Sequence, residues 1–189
     1  VDPIDGTINF MRNRRQSAVS IGLLAAETAR LQGAKVYIAD IALEKLRFVQ
    51  ENFSVDGCIL NSSEEALAEA VASATDGNGF DVTVEAAGAP QSFLGCVNAS
   101  ASMGRMVQIG VSKTPAEFNF TLLQKKELNV LGSRAATKAD FIQTMQHVRE
   151  GRVELSRLIS CTYPASEAPA AFAHLHENAG SIVKMELEF

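Results

Sequence analysis

The sequence predicts an α/β fold, an open doubly wound parallel sheet. From residue 21 onward, short β-branched runs alternate with longer segments of helical periodicity, the pattern of parallel strands joined by crossover helices. The strand segments are nearly continuously apolar, as strands covered on both faces are. A clear glycine-rich turn, Asp76-Gly77-Asn78-Gly79, punctuates the middle of the chain, and such turns separate elements rather than interrupt them.

Taken in order, Ile21 to about Gln32 reads as a helix, with Ile21, Leu24, Ala25, Thr28 and Leu31 at helical spacing and Gly33 as its stop. Lys35 to Asp40 reads as a strand. Leu43 to Asn52 is helical, with Leu43, Leu46 and Phe48 or Val49 turned inward, and Cys58 to Leu60 is a short strand. Ser62 and Glu65 form a capping-box pattern for a helix to about Thr75, with Leu67, Ala70, Val71 and Ala74 on one face. Phe80 to Ala86 is a strand. Pro90 opens a helix carrying Phe93, Leu94 and Val97. Arg105 to Val111 and Glu127 to Leu131 are further strands. Lys138 to Glu150 is a helix whose Phe141, Met145 and Val148 are expected to face inward. A short strand near Leu158 and Ile159, a helix from Ala171 to Glu177 and a terminal strand from Ser181 to Glu188 complete the chain.

Composition excludes several classes. The 189 residues are 47% apolar and 21% charged, ample for a core. A net charge of −5 argues against a basic nucleic-acid-binding groove. No apolar run approaches the length of a membrane span, and the first residues show no charged-then-apolar pattern, so no secretory leader is expected. Cys58, Cys96 and Cys161 are odd in number and lack metal-ligand spacing. They read as free thiols in a reducing, cytoplasmic compartment. A first residue of Val rather than Met suggests a piece of something longer or a processed product.

In a doubly wound sheet a dinucleotide lies across the strand C-termini. Its pyrophosphate meets a glycine-rich turn at a helix start, and its ribose hydroxyls meet an acid about 20 residues further on. Gly22 occupies the place of the third glycine, and Asp40 follows eighteen positions later at the end of a strand. A carboxylate there accepts from a 2′-hydroxyl and repels a 2′-phosphate, which predicts NAD over NADP. Ala87, Gly88, Gly110 and Val111 sit at predicted strand ends, where ligands bind in this architecture. The first strand is atypical. It would be Met11 to Gln16, which carries three arginines with Arg12 counted and no β-branched residue. The first two glycine positions hold Ser17 and Val19.

The stretches IGLLAAETARLQGAKVYIAD, FDVTVEAAGAP, GRMVQIGV, ELNVLGSRAAT and SIVKMELEF run in one order over about residues 21 to 189. Together they resemble the coenzyme-binding half of zinc-type medium-chain alcohol and polyol dehydrogenases, a Rossmann-type domain. The resemblance implies an oxidoreductase that uses NAD, with Ser133 and Arg134 near the cofactor. It also implies dimerisation through an edge strand at Glu127 to Gly132. The family's catalytic zinc ligands lie in another domain, so no zinc site and no turnover by this chain alone are expected.

Residues 1 to 20 read differently. Asp2-Pro3-Ile4-Asp5-Gly6-Thr7, followed by Asn9 and Phe10, resembles the metal motif of the inositol monophosphatase family. That resemblance implies Mg²⁺ on Asp2 and Asp5, with substrate phosphate on Gly6 and Thr7. Hard oxygen ligands suit that ion, but two aspartates alone do not fill its shell. An exposed pair of turns is the plainer reading. On these grounds the chain divides into a phosphatase-like segment, 1–20, and a dinucleotide-binding domain, 21–189, joined like a chimera.

Overall fold

The computed structural model describes residues 14–178 and 181–189, with side chains from Gly22 onward. Helices and parallel strands alternate, as the sequence predicts. Helix α1 spans Arg14–Leu31, followed by β1 (Tyr37–Asp40), α2 (Leu43–Asn52), β2 (Gly57–Leu60) and α3 (Glu64–Thr75). Then come β3 (Phe80–Glu85), α4 (Pro90–Ala99), β4 (Ser100–Gln108), α5 (Thr121–Lys125) and β5 (Asn129–Gly132). The chain ends with α6 (Lys138–Arg149), a 3₁₀ turn, β6 (Ile159–Pro164), α7 (Ala168–Glu177) and β7 (Lys184–Glu188).

All strand pairs are parallel. β1 pairs with β2, β3 with β4, β4 with β5, and β6 with β7. The ladders run β1-β2 and β3-β4-β5, the two halves of a doubly wound sheet. The strand that would lie between β1 and β3 has no counterpart among the described residues. The halves meet instead through α1, which touches both β1 and β3. They also meet through the rings of Tyr37 and Phe80, which open those two strands with centroids 5.3 Å apart. This contact brings the starts of the two strands together.

α1 departs from the expected start at Ile21. Arg14 and Arg15, expected to close a central strand, are already helical. Arg14, Arg15, Gln16 and Ala18 are good helix formers, and none is β-branched. Met11 to Asn13 lie outside the described residues. The helix also runs unbroken across the expected boundary between residues 20 and 21. It stops as predicted at Gly33 (φ +82°), where the amides of Gly33 and Ala34 donate to the carbonyls of Arg30 and Ala29 at 2.9 and 3.1 Å. These two bonds form a Schellman close, which favours glycine in the left-handed position.

The central core gathers Leu23 of α1, Val49 of α2, Leu158 and Val183. Ile38, Phe48, Phe53 and Val55 pack around them. The C-terminal unit is thus seated on α1 and α2. Leu46 and Val49 face inward as expected, whereas Leu43 is exposed and Lys45 is buried.

Three expectations shift. Ser63 rather than Ser62 caps α3, its hydroxyl accepting from the Ala66 amide at 3.1 Å. β4 begins at Ser100, where Ser100 pairs with Phe80 before a register shift, and it ends at Gln108, so Gly110 and Val111 lie in a loop. α6 forms behind a Thr137–Asp140 capping box, yet its apolar face is not buried. Phe141, Met145 and Val148 remain exposed, because no element among the described residues covers it.

Candidate functional site at the strand C-termini

The C-terminal ends of β1, β3, β4 and β5 carry the candidate site. Asp40 ends β1. Its Oδ1 accepts from the Ala42 amide at 2.8 Å, a local turn that holds the carboxyl at the strand end. Oδ2 has no hydrogen-bond partner among the described residues, so a carboxylate oxygen is left for an incoming hydroxyl.

β3 ends at Glu85, and the loop 86–89 follows. Ala87 is exposed and Gly88 is buried. Gly88 adopts φ +65°, and a Cβ there would stand 2.5 Å from the Val111 carbonyl oxygen. At Gly110 a Cβ would collide with the Gly88 amide and the Glu85 carboxylate. The two glycines therefore let loop 86–89 lie directly on loop 109–111, with Val111 exposed at the rim. After β5, the Ser133 amide donates to the Gln108 carbonyl at 2.9 Å, and Arg134 is exposed.

Gly22 reaches the same edge by a different route. It lies inside α1, and a Cβ there would be in ordinary contact, 3.8 Å, with the Cβ of Ala86. Gly22 is therefore a close-packing glycine between helix and strand end, not the first residue of a helix. Positions 17 to 22 all lie within α1, so the helix's own ladder takes up their amides. The amide cradle expected for a pyrophosphate is not formed there. The fit to a dinucleotide is one-sided: a carboxylate at the end of β1 and the strand-end loops are present, and the helix-start seat is not.

The loops converge on a residue the sequence reading passed over. Glu85 is 1% exposed. Its Oε1 accepts from the Gly88 amide at 2.8 Å and from the Ser92 hydroxyl, and its Oε2 accepts from Gln108 Nε2. The signal was present: an acid closing the apolar strand FDVTVE, and a glutamine inside RMVQIG. A charge that ends up buried needs donors.

Beside it, burial and then the charge of Glu85 push the Cys96 thiol up to about 12. A thiol raised in the fold favours the neutral form. Its contribution to stability is intact below the ordinary value of 9.0 and is lost as pH climbs from there towards about 12. Iodoacetamide at pH 8 is therefore expected to modify Cys58 and Cys161 well before Cys96 in the folded chain, and all three alike in urea. Mass spectrometry of the modified peptides checks this, and equal rates in the folded state would refute it.

Asp2, Asp5, Gly6 and Thr7 lie outside the described residues. Among those described, no group of three His, Cys, Asp or Glu side chains could hold a metal ion. No helix among them is long and apolar enough to cross a membrane.

Parallel strands in two half-sheets, with loops at their C-termini, define a doubly wound α/β protein. The zinc-binding dehydrogenase family profile matches residues 20–150, and the chain belongs to that family. It is 30% identical over 169 residues to a sorbitol dehydrogenase of Halalkalibacterium halodurans, covering 88% of this chain and 48% of that protein. The crystal structure of an alcohol dehydrogenase from Escherichia coli CFT073 in complex with NADH superposes with a TM-score of 0.81. That match has 25% identity and covers 91% of this chain and 50% of the other. A Sinorhizobium meliloti zinc-binding dehydrogenase bound to NADP matches with a TM-score of 0.70 and 26% identity, covering 82% of this chain and 46% of the other. The chain spans about half the length of the curated relatives it matches. The family match begins at residue 20, and the phosphatase and chimera readings gain no support from the comparisons.

Proposed function

We propose that this chain is the coenzyme-binding half of a zinc-type alcohol or polyol dehydrogenase and that its dinucleotide is NAD. The observation that carries the reading is Asp40, a carboxylate fixed at the end of β1 with one oxygen that has no hydrogen-bond partner among the described residues. An acid in that place accepts from both ribose hydroxyls and opposes a 2′-phosphate. It thus favours the cofactor of the Escherichia coli neighbour over that of the Sinorhizobium one. Loops 86–89 and 109–111, with Ser133 and Arg134 beyond β5, form the rest of the proposed surface. When bound in the whole enzyme, NAD would supply a hydride acceptor and zinc a Lewis acid for the alcohol oxygen. This chain's residues bind and orient the cofactor. The exposed edge of β5, unpaired among the described residues, is the proposed seat of self-association, and three free cysteines suit a cytoplasmic protein.

NADH titration followed by nicotinamide fluorescence tests the reading. Saturable binding is expected. D40N keeps an acceptor for the Ala42 amide and removes the charge, so its affinity should fall roughly tenfold, the scale of a charged hydrogen bond. NADPH should bind the parent chain more weakly than NADH, and D40N should narrow that gap. A folded chain that shows no saturable binding would sink the proposal.

A further inference from the structure

We propose that Glu85 is a positioning residue: its buried carboxylate sets the shape of both strand-end loops on which the dinucleotide rests. This extends the reading above and depends on it for the ligand, but not for the loops.

Glu85 reaches both loops through its side chain and through its backbone. The carboxylate takes the Gly88 amide and the Ser92 hydroxyl on one oxygen and Gln108 Nε2 on the other. The Glu85 carbonyl takes the amides of Ile109 and Gly110, both at 2.9 Å. Gln108 Nε2 also donates to the Gly110 carbonyl at 2.7 Å. Gly110 is thus held at its amide by the backbone of Glu85 and at its carbonyl by the side chain that Glu85 orients. Both hydrogens of the Gln108 amide are used by acceptors, which fixes its orientation.

Every oxygen of the carboxylate is engaged, and the residue is 1% exposed. Glu85 therefore touches no ligand and serves no proton transfer. A buried carboxylate is costly in a place where an apolar side chain would simply pack. What it provides is one group that several donors must meet at once, and this defines a single arrangement of loops 86–89 and 109–111. The pairing is specific to an acceptor. In E85Q the shape is kept, but the introduced amide presents hydrogens either to the Gly88 amide, which can only donate, or to Gln108, which can accept only by turning its unpartnered Oε1 towards residue 85 and releasing the Gly110 carbonyl. One loop or the other must release.

The test uses the chain as it stands. Amide hydrogen exchange is read by NMR at Gly88, Ile109 and Gly110, with Ile59 in the β1-β2 ladder as control, and NADH affinity is measured in parallel. In E85Q, exchange at Gly88 or Gly110 should rise roughly tenfold or more, the scale of losing a charged hydrogen bond. Ile59 should be unchanged, and NADH should bind several-fold more weakly. The exchanged pair E85Q/Q108E restores a donor facing an acceptor and should recover part of the affinity, which a merely destabilising substitution would not allow. S92A, which leaves the carboxylate in place, covers the case in which E85Q fails to fold. It should raise exchange at Gly88 and spare Gly110.

Unchanged loop exchange in folded E85Q and S92A would overturn the proposal. Loosened loops with parent-like NADH affinity would overturn its positioning role and leave Glu85 a loop anchor only. Absence of NADH binding by the parent chain would overturn the dinucleotide reading and the binding half of this proposal with it. The exchange measurements would then decide the loop-holding half by themselves.

Discussion

Replacing Gly88 by alanine is expected to destabilise the chain by about 2–5 kcal/mol. Two costs combine. The backbone stands at φ +65°, where a Cβ costs about 1–2 kcal/mol. The new atom would also lie 2.5 Å from the Val111 carbonyl oxygen and 2.8 Å from that residue's amide nitrogen. Those are backbone atoms that cannot rotate away, and overpacking of this kind costs about 1–3 kcal/mol. Gly77 is the internal control. It has φ +80°, but nothing lies within 4 Å of its Cβ position, so G77A should cost only about 1–2 kcal/mol. Urea denaturation of the two variants separates the steric term from the conformational one. Equal losses would show that loop 109–111 yields freely to loop 86–89.

The second large effect is expected at Lys126, whose ammonium closes the C-terminus of α4. Nζ donates to the carbonyls of Val97, Asn98 and Ser100 at 2.9, 2.7 and 2.6 Å. Helix ends leave carbonyls without intrahelical donors, and a cation there also meets the negative end of the helix dipole. Burial lowers the ammonium below the ordinary lysine value, so the charge is held at some cost in hydration. K126M keeps much of the stem and removes all three donors. The expected loss is about 1–3 kcal/mol, with Tm falling about 2–4 °C per kcal/mol for a chain of this size. An unchanged Tm would mean that water replaces the ammonium without loss.

Much of the architecture was legible because local signals and packing agreed. α2 has the limits its periodicity predicts, Leu43–Asn52, and Gly33, Gly77 and Pro90 punctuate where their backbone chemistry requires. Misplacements arose where a motif outweighed propensity or where burial depended on a distant partner. Spacing around Gly22 suggested a helix start, while Arg14 to Ala18 already favoured helix. Phe141, Met145 and Val148 share one face by periodicity, but periodicity names a face without naming what covers it. At the candidate site, Asp40 and the strand-end glycines were legible from spacing. Glu85, Ser92 and Gln108 were not, because their role depends on three elements meeting. Each is unremarkable in its own segment.

The ladders pair only strands that follow one another in the chain: β1 with β2, β3 with β4, β4 with β5, β6 with β7. Among the described residues no ladder bond joins distant parts of the chain. Each pairing closes one helical crossover, a shorter loop than a ladder joining the two halves would have to close. Cooperativity between units then rests on side-chain packing, chiefly Leu23 with Val49, Leu158 and Val183, and not on a shared backbone ladder. The molecule is organised as successive foldons, each able to open without unzipping the next.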